Sequence, residues 1–247
     1  MGNNSLMAWA VRMIRVVICC AMALTCEAVD LGGYLTLSNA EGKQISAKIL
    51  RVHRDLITIR LQSNQAEIQA ERIIFDKASQ DLIQQWEVEQ AVLGGLDFGV
   101  SSKRFDSERK SSEARSWTID KSGYSIRVKN SSEVAIDGME AKYLIVVKRE
   151  RIGRKKNKDH SIELEDGNLE FPTIPARQDV KVDTRGVSLR EESMNPGWTP
   201  SYGGIESSED EFLGIVVEFY WNGRLIRTES KPSALVADYP ISKRSKR

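Results

Sequence analysis

A β-hairpin centred on Asn222-Gly223 is the sequence feature that most constrains the fold of this chain. It lies within Phe212–Ser230, which reads FLGIVVEFYWNGRLIRTES and alternates on both sides of the dipeptide. Asn-Gly favours a two-residue type I′ turn, because both residues tolerate positive φ. The predicted register pairs Tyr220 with Leu225, Phe219 with Ile226, Glu218 with Arg227 and Val217 with Thr228. One face of such a hairpin is apolar, so it needs a larger sheet to pack against.

The rest of the C-terminal half has the same strand-like pattern. Apolar residues alternate over Tyr124–Val128 and Met139–Val147, and shorter candidate strands lie at 173–182 and 187–189. About seven strands within roughly 120 residues are typical of an antiparallel β-sandwich. We therefore expect an immunoglobulin- or fibronectin III-like sandwich over residues 115–236. A basic tail should follow over 237–247.

The N-terminal half predicts a second, smaller β unit. Tyr34–Ser38, Gln44–Val52 and Leu56–Leu61 alternate as short strands. The period then changes to that of a helix, which Asp76 would cap and Gly94-Gly95 would end. These patterns predict strands followed by one helix over residues 34–93.

This N-terminal segment resembles a known family. Tyr34–Ser38, the Glu41-Gly42 turn, Leu56–Leu61 and the run from Phe75-Asp76 to Trp86 are similar to the Sla-homology domain 1 of secreted planctomycete and verrucomicrobial proteins. Phe75-Asp76 replaces the usual Leu-Ser of that family, and Ser79 replaces its usual acid. The resemblance implies an SH3-like barrel closed by a helix, in a module that binds short peptides in eukaryotic adaptors.

The segment between the two units has the composition of a linker. Residues 97–114 contain five serines and mixed charges but few apolar residues. Such stretches connect domains more often than they form a core. The sequence thus predicts a linker over 94–114 and a mainly β protein of two modules.

The first 28 residues have the pattern of a secretory signal peptide. Arg12 and Arg15 precede the apolar run Val16–Leu24, which is far shorter than the ~20 residues of a membrane span. Cleavage after Ala28 would leave a small residue at the cleavage site. An uncleaved anchor and a lipoprotein attached at Cys26 are the alternatives. The export hypothesis places the mature chain in the periplasm or outside the cell.

Export would leave a chain without cysteine and without net charge. All three cysteines lie within residues 1–28, and the remainder has 34 basic and 34 acidic residues. Disulfides, thiol nucleophiles and cysteine-ligated zinc are therefore excluded from the mature chain. A balanced charge also provides no global field for steering specific nucleic acid to the protein.

The sequence offers little for catalysis. His53 and His160 are the only histidines, and the chain has no nucleophile-elbow, zinc-protease or phosphate-loop motif. Two acidic clusters, at 206–211 and 163–166, could bind Ca²⁺ or act in glycan hydrolysis, but neither has EF-hand spacing. Solvated acidic loops are the alternative. We predict no enzyme, no catalytic residue, no metal and no cofactor.

A basic run after the central strand is the strongest candidate binding feature. Residues 148–158 carry seven positive charges in eleven residues. They could bind an anionic polymer, although no aromatic residues are interleaved for base stacking. A charged loop that only keeps the protein soluble is the alternative. The predicted binding residues of this run are Arg149, Arg151, Arg154, Lys155, Lys156 and Lys158.

Two aromatic residues in a Pro/Gly-rich loop complete the candidate list. Trp198 and Tyr202 lie in residues 195–204, NPGWTPSYGG. Exposed aromatic loops are good binding anchors, but a tryptophan in such a loop can also fold back over the core.

These observations favour an exported, non-catalytic binding or scaffolding protein of the bacterial envelope. The expected partner is a protein or peptide, or an anionic envelope polymer, and no transmembrane span is expected in the mature chain. A secreted glycan-active hydrolase that uses loop carboxylates is one alternative. A purely structural envelope component is the other.

Overall fold

The computed structural model describes residues 31–152, 160–201 and 203–241. The chain divides into two compact units, Met1–Trp86 and Glu87–Arg247. Within the described residues there are three antiparallel sheets and little helix. The prediction of a mainly β protein is confirmed. The predicted signal peptide, residues 1–28, lies outside the described residues.

The first unit is a four-stranded meander followed by a helix. Its elements are β1 (Leu35–Ser38), β2 (Gln44–His53), β3 (Leu56–Leu61), β4 (Glu67–Glu71), a 3-10 turn (Arg72–Ile74) and the start of α1 (Lys77–Gly94). The strands pair in the order β1-β2-β3-β4, so the expected closed barrel is not formed in the described part of the chain. β1 and β4 are short, and the helix residues Ile83 and Trp86 pack against the inner face with Leu37 and Ile57. The sheet is therefore covered by a helix rather than closed on itself.

The start of α1 follows the predicted cap. Asp76 Oδ1 accepts a hydrogen bond of 2.8 Å from the Ser79 backbone amide. That bond lowers the pKa of the Asp76 carboxyl below its ordinary value. The buried Ser79 hydroxyl in turn accepts a hydrogen bond of 2.8 Å from the Ser38 backbone amide at the end of β1. Ser79 thus joins the helix to the sheet.

The second unit consists of two sheets. Its elements are β5 (Leu96–Ser111), β6 (Arg115–Asn130), β7 (Met139–Arg149), β8 (Ser161–Glu170), β9 (Asp179–Asp183), β10 (Val187–Met194), β11 (Ser207–Glu209), β12 (Glu211–Trp221), β13 (Arg224–Lys231) and the short helix α2 (Leu235–Asp238). One sheet has the order β11-β10-β6-β5, with β9 also paired to β6, and the other has the order β13-β12-β7-β8.

Side chains from both of these sheets form one hydrophobic core. Ile126 of β6, Ile145 of β7 and Phe219 of β12 are fully buried in it. Phe98 of β5 packs on Phe219 with ring centroids 4.3 Å apart. The end of α1 contributes Ala91 to the same core. Burial of this many large apolar side chains is the main stabilising contribution in this unit, whose sequence contains no cysteine.

The predicted linker over 94–114 is wrong, because most of it is strand β5. This strand pairs with β6 from Leu96 opposite Asn130 to Ser111 opposite Ser116. It is an edge strand, and most of its residues after Val100 are exposed. Serine and charged residues on an exposed edge protect it from pairing with other chains, and they also give it the composition of a linker.

The hairpin has the predicted turn but a shifted register. Asn222 and Gly223 have φ values of 48° and 77°, and Tyr220 lies opposite Leu225 as predicted. A bulge between Phe219 and Tyr220 then places Phe219 opposite Arg227. The pairs predicted beyond that point are wrong, because the bulge adds one residue to the β13 side.

Glu218 has a different partner from the one predicted. Instead of pairing with Arg227, the buried Glu218 carboxylate accepts a 2.6 Å hydrogen bond from the Tyr220 hydroxyl. Burial and this carboxylate raise the pKa of Tyr220 to about 12. Arg227 donates to Glu229 at 2.7 Å.

The C-terminal segment packs on the outer face of the sheet formed by β13, β12, β7 and β8. Leu235 of α2 is buried with Val146 and Val216, and Tyr239 and Ile241 pack beside them. Residues 237–241 of the predicted tail are therefore part of the packed structure, and residues 242–247 lie outside the described ranges. No helix among the described residues is long and apolar enough to cross a membrane.

Gly214 should be essential for this packing. Its φ is +146°, and an added Cβ would overlap the Lys231 carbonyl oxygen and lie 2.7 Å from Pro232 Cδ. We expect Gly214→Ala to lower the free energy of unfolding by about 3 kcal/mol, from backbone strain and steric overlap together. Urea denaturation measures the loss.

Gly197→Ala is the matched control. Gly197 also has a positive φ, +86°, but an added Cβ meets nothing within 4 Å. Only the conformational cost of ~1 kcal/mol should remain there. Equal losses for the two variants would show that steric overlap at Gly214 is unimportant.

Candidate functional site

A polar groove in the second unit is the strongest candidate site. It encloses about 790 Å³ and lies where the end of β7 and the start of β8 meet residues of β6 and β10. We call it the arginine groove. Its charged lining consists of four arginines, Arg115, Arg149, Arg151 and Arg190, and four carboxylates, Glu150, Glu163, Glu192 and Asp210.

Strand pairing brings these residues together from distant parts of the sequence. Arg115 begins β6 and lies opposite Met194 at the end of β10. Arg190 and Glu192 are two residues apart in β10 and so project from the same face. Arg149 ends β7, opposite the first residue of β8. The groove is thus formed at strand ends, held in position by sheets with a packed core.

Arg149 forms the fixed part of the groove. Its guanidinium donates to Glu163, to Asp210 Oδ2 at 2.9 Å and to the Ser188 carbonyl. Its side chain is only 20% exposed, and that of Asp210 only 8%. Burial alone would lower the pKa of Arg149, but the hydrogen bonds to Glu163 and Asp210 outweigh it and raise this pKa.

Asp210 also binds the backbone on both sides of the groove. Its Oδ2 accepts from the Arg190 amide at 2.9 Å, and its Oδ1 accepts from the Glu150 amide at 3.3 Å. The Asp210 amide donates back to the Arg190 carbonyl at 2.9 Å. One buried carboxylate therefore connects β10, the end of β7 and the chain leading into β12.

Arg115 and Arg190 form a looser pair around Glu192. Arg115 Nη1 lies 3.2 Å from Glu192 Oε1, and Arg190 Nη2 lies 3.2 Å from Glu192 Oε2. The two arginine side chains are 47% and 48% exposed, while that of Glu192 is 8% exposed. The Arg190 guanidinium lies over the Trp117 ring, 5.2 Å from its centroid, which limits its movement.

Arg151 is the groove arginine with no ion-pair partner among the described residues. It is exposed. Of the predicted binding residues, Arg149 and Arg151 are thus both in the groove, one fixed and one available. The others of the basic run, Arg154, Lys155, Lys156 and Lys158, lie outside the described residues, as does Tyr202.

Trp198 is exposed rather than folded over the core. Its side chain is 45% exposed. The loop before it is fixed by Asn195, whose amide nitrogen donates to the carbonyls of Ser112 and Glu113 at 2.9 and 2.8 Å. Ser112 and Glu113 belong to the turn between β5 and β6, and Arg115 of the groove follows this turn. The loop of Trp198 and the groove therefore adjoin the same end of β6.

Arg149 connects the two predicted acidic clusters. Glu163 lies in strand β8 instead of a loop, and Arg149 bonds one acid from each cluster, Glu163 and Asp210. Among the residues that the structure describes, no three His, Cys, Asp or Glu side chains are arranged to hold a metal ion. His53 and His160 are both exposed.

Sequence reasoning missed three members of the groove, Arg115, Arg190 and Glu192. The spacing of Arg190 and Glu192 in a strand is visible in the sequence, but their approach to Arg115 depends on the β6–β10 register. That register could not be predicted because β9 and β10 both pair with the long strand β6.

Comparisons with known proteins add no family. No protein-family model and no curated protein matches the chain. It is similar to the X-ray structure of Northeast Structural Genomics Consortium target SoR45, with 16% identity, coverage of 57% of this chain and 88% of that chain, and a TM-score of 0.20. A crystal structure from Akkermansia muciniphila shows 12% identity, coverage of 55% and 70%, and a TM-score of 0.22. Similarity at this level does not define a shared fold.

Removing the Asp210 charge should destabilise the second unit. In Asp210→Asn, the largely buried Arg149 loses an ionic partner. Both carboxylate oxygens of Asp210 now face N–H donors, and the NH₂ group of asparagine could not accept from either of them. We expect a loss of about 2–3 kcal/mol in the free energy of unfolding. Glu209→Gln is the control, since Glu209 is exposed, and it should change stability by less than about 0.5 kcal/mol.

Chemical denaturation of both variants provides the measurement. A small effect of Asp210→Asn, no larger than that of Glu209→Gln, would show that Asp210 does not hold the groove together.

Proposed function

We propose that this chain is an exported, non-catalytic binding protein of the bacterial envelope, and that it holds an anionic polymer in the arginine groove. The observation that carries the proposal is that the groove arginines differ in exposure and in internal bonding. The Arg149 guanidinium is largely buried and bonded to residues of the protein itself, whereas the side chains of Arg115, Arg190 and Arg151 are about half exposed or more. Exposed guanidinium groups are suited to binding sulfate, phosphate or carboxylate groups, and two of the three, Arg115 and Arg190, lie on strands.

The surrounding sequence supports an extended anionic ligand over a small one. Directly after Arg151, residues 153–159 add four further positive charges and one negative charge. A polymer bound at Arg151 can make use of several of these charges, whereas a small anion can use few of them. Trp198 near the same end of β6 offers an apolar surface for its backbone.

The arrangement of carboxylates supports binding over hydrolysis. Glu163 and Asp210 are bonded to Arg149, Glu192 to two arginines, and Glu150 to Lys148 at 2.9 Å. A glycosidase requires one carboxylic acid that keeps its proton for the leaving group. Each of the four groove carboxylates already has a cationic partner, so none of them is free to approach a glycosidic oxygen as that acid must. A purely structural component would have no need for such a focused groove.

The proposed location rests on the N-terminal sequence. The apolar run Val16–Leu24 after two arginines is typical of a secretory signal, and the segment that would remain has no cysteine. We propose that the mature protein works in the periplasm or outside the cell.

The second unit is proposed to be a sandwich of the immunoglobulin or fibronectin III type. If β5, β6 and β9–β10 are strands A, B and E, then β7, β8, β12 and β13 take the positions C, C′, F and G. This agrees with the order A-B-E in one sheet and C′-C-F-G in the other, and supports the proposal. In the first unit, the meander, the 3-10 turn and the buried Trp86 support kinship with the SH3-like module, although its sheet is open.

Charge reversal tests the proposed function. We expect Arg151→Glu to elute from immobilised heparin at lower NaCl concentration than the wild-type exported form, because a direct contact with the polymer is lost. The triple variant R154E/K155E/K156E should elute at still lower salt. Gradient elution measures both changes.

The control variant K43E/R51E/K77E reverses three exposed cations of the first unit. It changes the net charge as much as the triple variant and should elute near the wild type. Equal shifts for the control and the triple variant would indicate general charge attraction and contradict the proposal. If the triple variant elutes at lower salt and Arg151→Glu does not, the polymer binds outside the groove.

A further inference from the structure

We infer that Glu192 is an internal competitor that sets which anions the arginine groove accepts, and that the groove selects sulfate or phosphate esters over carboxylates. This inference rests on the proposed function, since it names the ligand class and a specificity-determining residue of the same site.

Glu192 occupies the position that a bound carboxylate would take. Each of its two oxygens has its own guanidinium partner, Arg115 at Oε1 and Arg190 at Oε2, both at 3.2 Å. Only 8% of the side chain is exposed, so the carboxylate lies in the wall of the groove and not above it. A ligand carboxylate that approached these two arginines would meet a group identical to itself already in place.

The Glu192 contacts are those of a displaceable partner. Charge-assisted N–H···O bonds of full strength are about 2.7–2.9 Å long, and the two Glu192 contacts are longer. Arg115 and Arg190 are also nearly half exposed, so water reaches both guanidinium groups and competes with Glu192 for their N–H donors. Arg149 shows the opposite arrangement, with shorter bonds to its acids and a largely buried side chain. The groove thus contains a permanent ionic cluster of Arg149, Glu163 and Asp210. It also contains an exchangeable cluster of Arg115, Arg190 and Glu192.

The exchangeable cluster favours ligands with more than two acceptor oxygens. A carboxylate has two oxygens and would merely replace Glu192 on Arg115 and Arg190, with no net gain. A sulfate or phosphate ester has three terminal oxygens and can engage a further guanidinium. Arg151 lines the same groove and has no internal partner within the described chain. A third oxygen directed at Arg151 would supply the gain that a carboxylate lacks.

The stacking of Arg190 on Trp117 supports this selection. A guanidinium held over an indole ring keeps its orientation when Glu192 leaves, so less side-chain entropy is lost on binding the ester.

The test compares Glu192→Gln with Glu191→Gln on three probes: heparin for sulfate, phosphocellulose for phosphate and polygalacturonate for carboxylate. The two variants change the net charge equally. Glu191 is exposed and bonds to neither guanidinium. We expect the wild type to bind heparin or phosphocellulose more tightly than polygalacturonate. Glu192→Gln should raise the affinity for polygalacturonate by roughly threefold to tenfold more than Glu191→Gln does, because two guanidinium groups are released.

A second variant avoids any change in net charge. Glu192→Asp has a side chain shorter by one methylene, which withdraws the carboxylate from both guanidinium groups. It should also bind polygalacturonate more tightly than the wild type, and circular dichroism should show that it and Glu192→Gln are folded.

The outcomes separate this inference from the proposed function. Binding to heparin or phosphocellulose that depends on Arg151, combined with equal effects of Glu192→Gln and Glu191→Gln, would overturn the role of Glu192 alone. Wild-type preference for polygalacturonate would overturn the selection of esters. The absence of binding to all three probes would contradict the proposed function itself. Preference for heparin over phosphocellulose, or the reverse, identifies the ester in the ligand.

Discussion

Strands β7 and β12 pair along their length, and apolar side chains leave this pair on both faces. Ile145 and Val217 enter the core shared with the other sheet, while Val146 and Val216 are covered by the C-terminal segment. Burial on both faces fixes the register, because a slip of one residue would exchange every side chain between two different apolar environments. The end of β7 is thereby held in place, and that end carries Arg149.

The arginine groove uses this rigidity for electrostatics. The Arg149 guanidinium and the Asp210 carboxylate are both largely removed from water, which is favourable only when each has several well-placed partners. Three strands and the segment before β12 supply those partners. The fixed cluster satisfies its own charges, whereas the Arg115, Arg190 and Arg151 side chains face solvent. Stability and the proposed binding would therefore depend on different residues of one groove.

The sequence allowed the turn, most strands and the helix cap to be predicted, since each depends on residues close together in the chain. Asn222-Gly223 and Asp76 are examples in which local chemistry decides the structure. The predictions failed where distant residues decide. The bulge after Phe219 shifts the hairpin register, and α1 covers the first sheet where a closed barrel was expected. For the candidate site, the basic run identified Arg149 and Arg151. Arg115, Arg190 and Glu192 meet only through the β6–β10 pairing.

Strand β5 was predicted to be a linker, and the physical cause of that wrong prediction also concerns the groove. An edge strand must be polar to avoid pairing with other chains, so selection gives it the composition of a linker. β5 carries charged residues opposite the same β6 segment whose other side pairs with β10. Without β5, the half of β6 that holds Arg115 and Trp117 would have hydrogen bonds on one side only. The charged strand that resembles a linker therefore supports the part of the sheet from which Arg115 reaches Glu192.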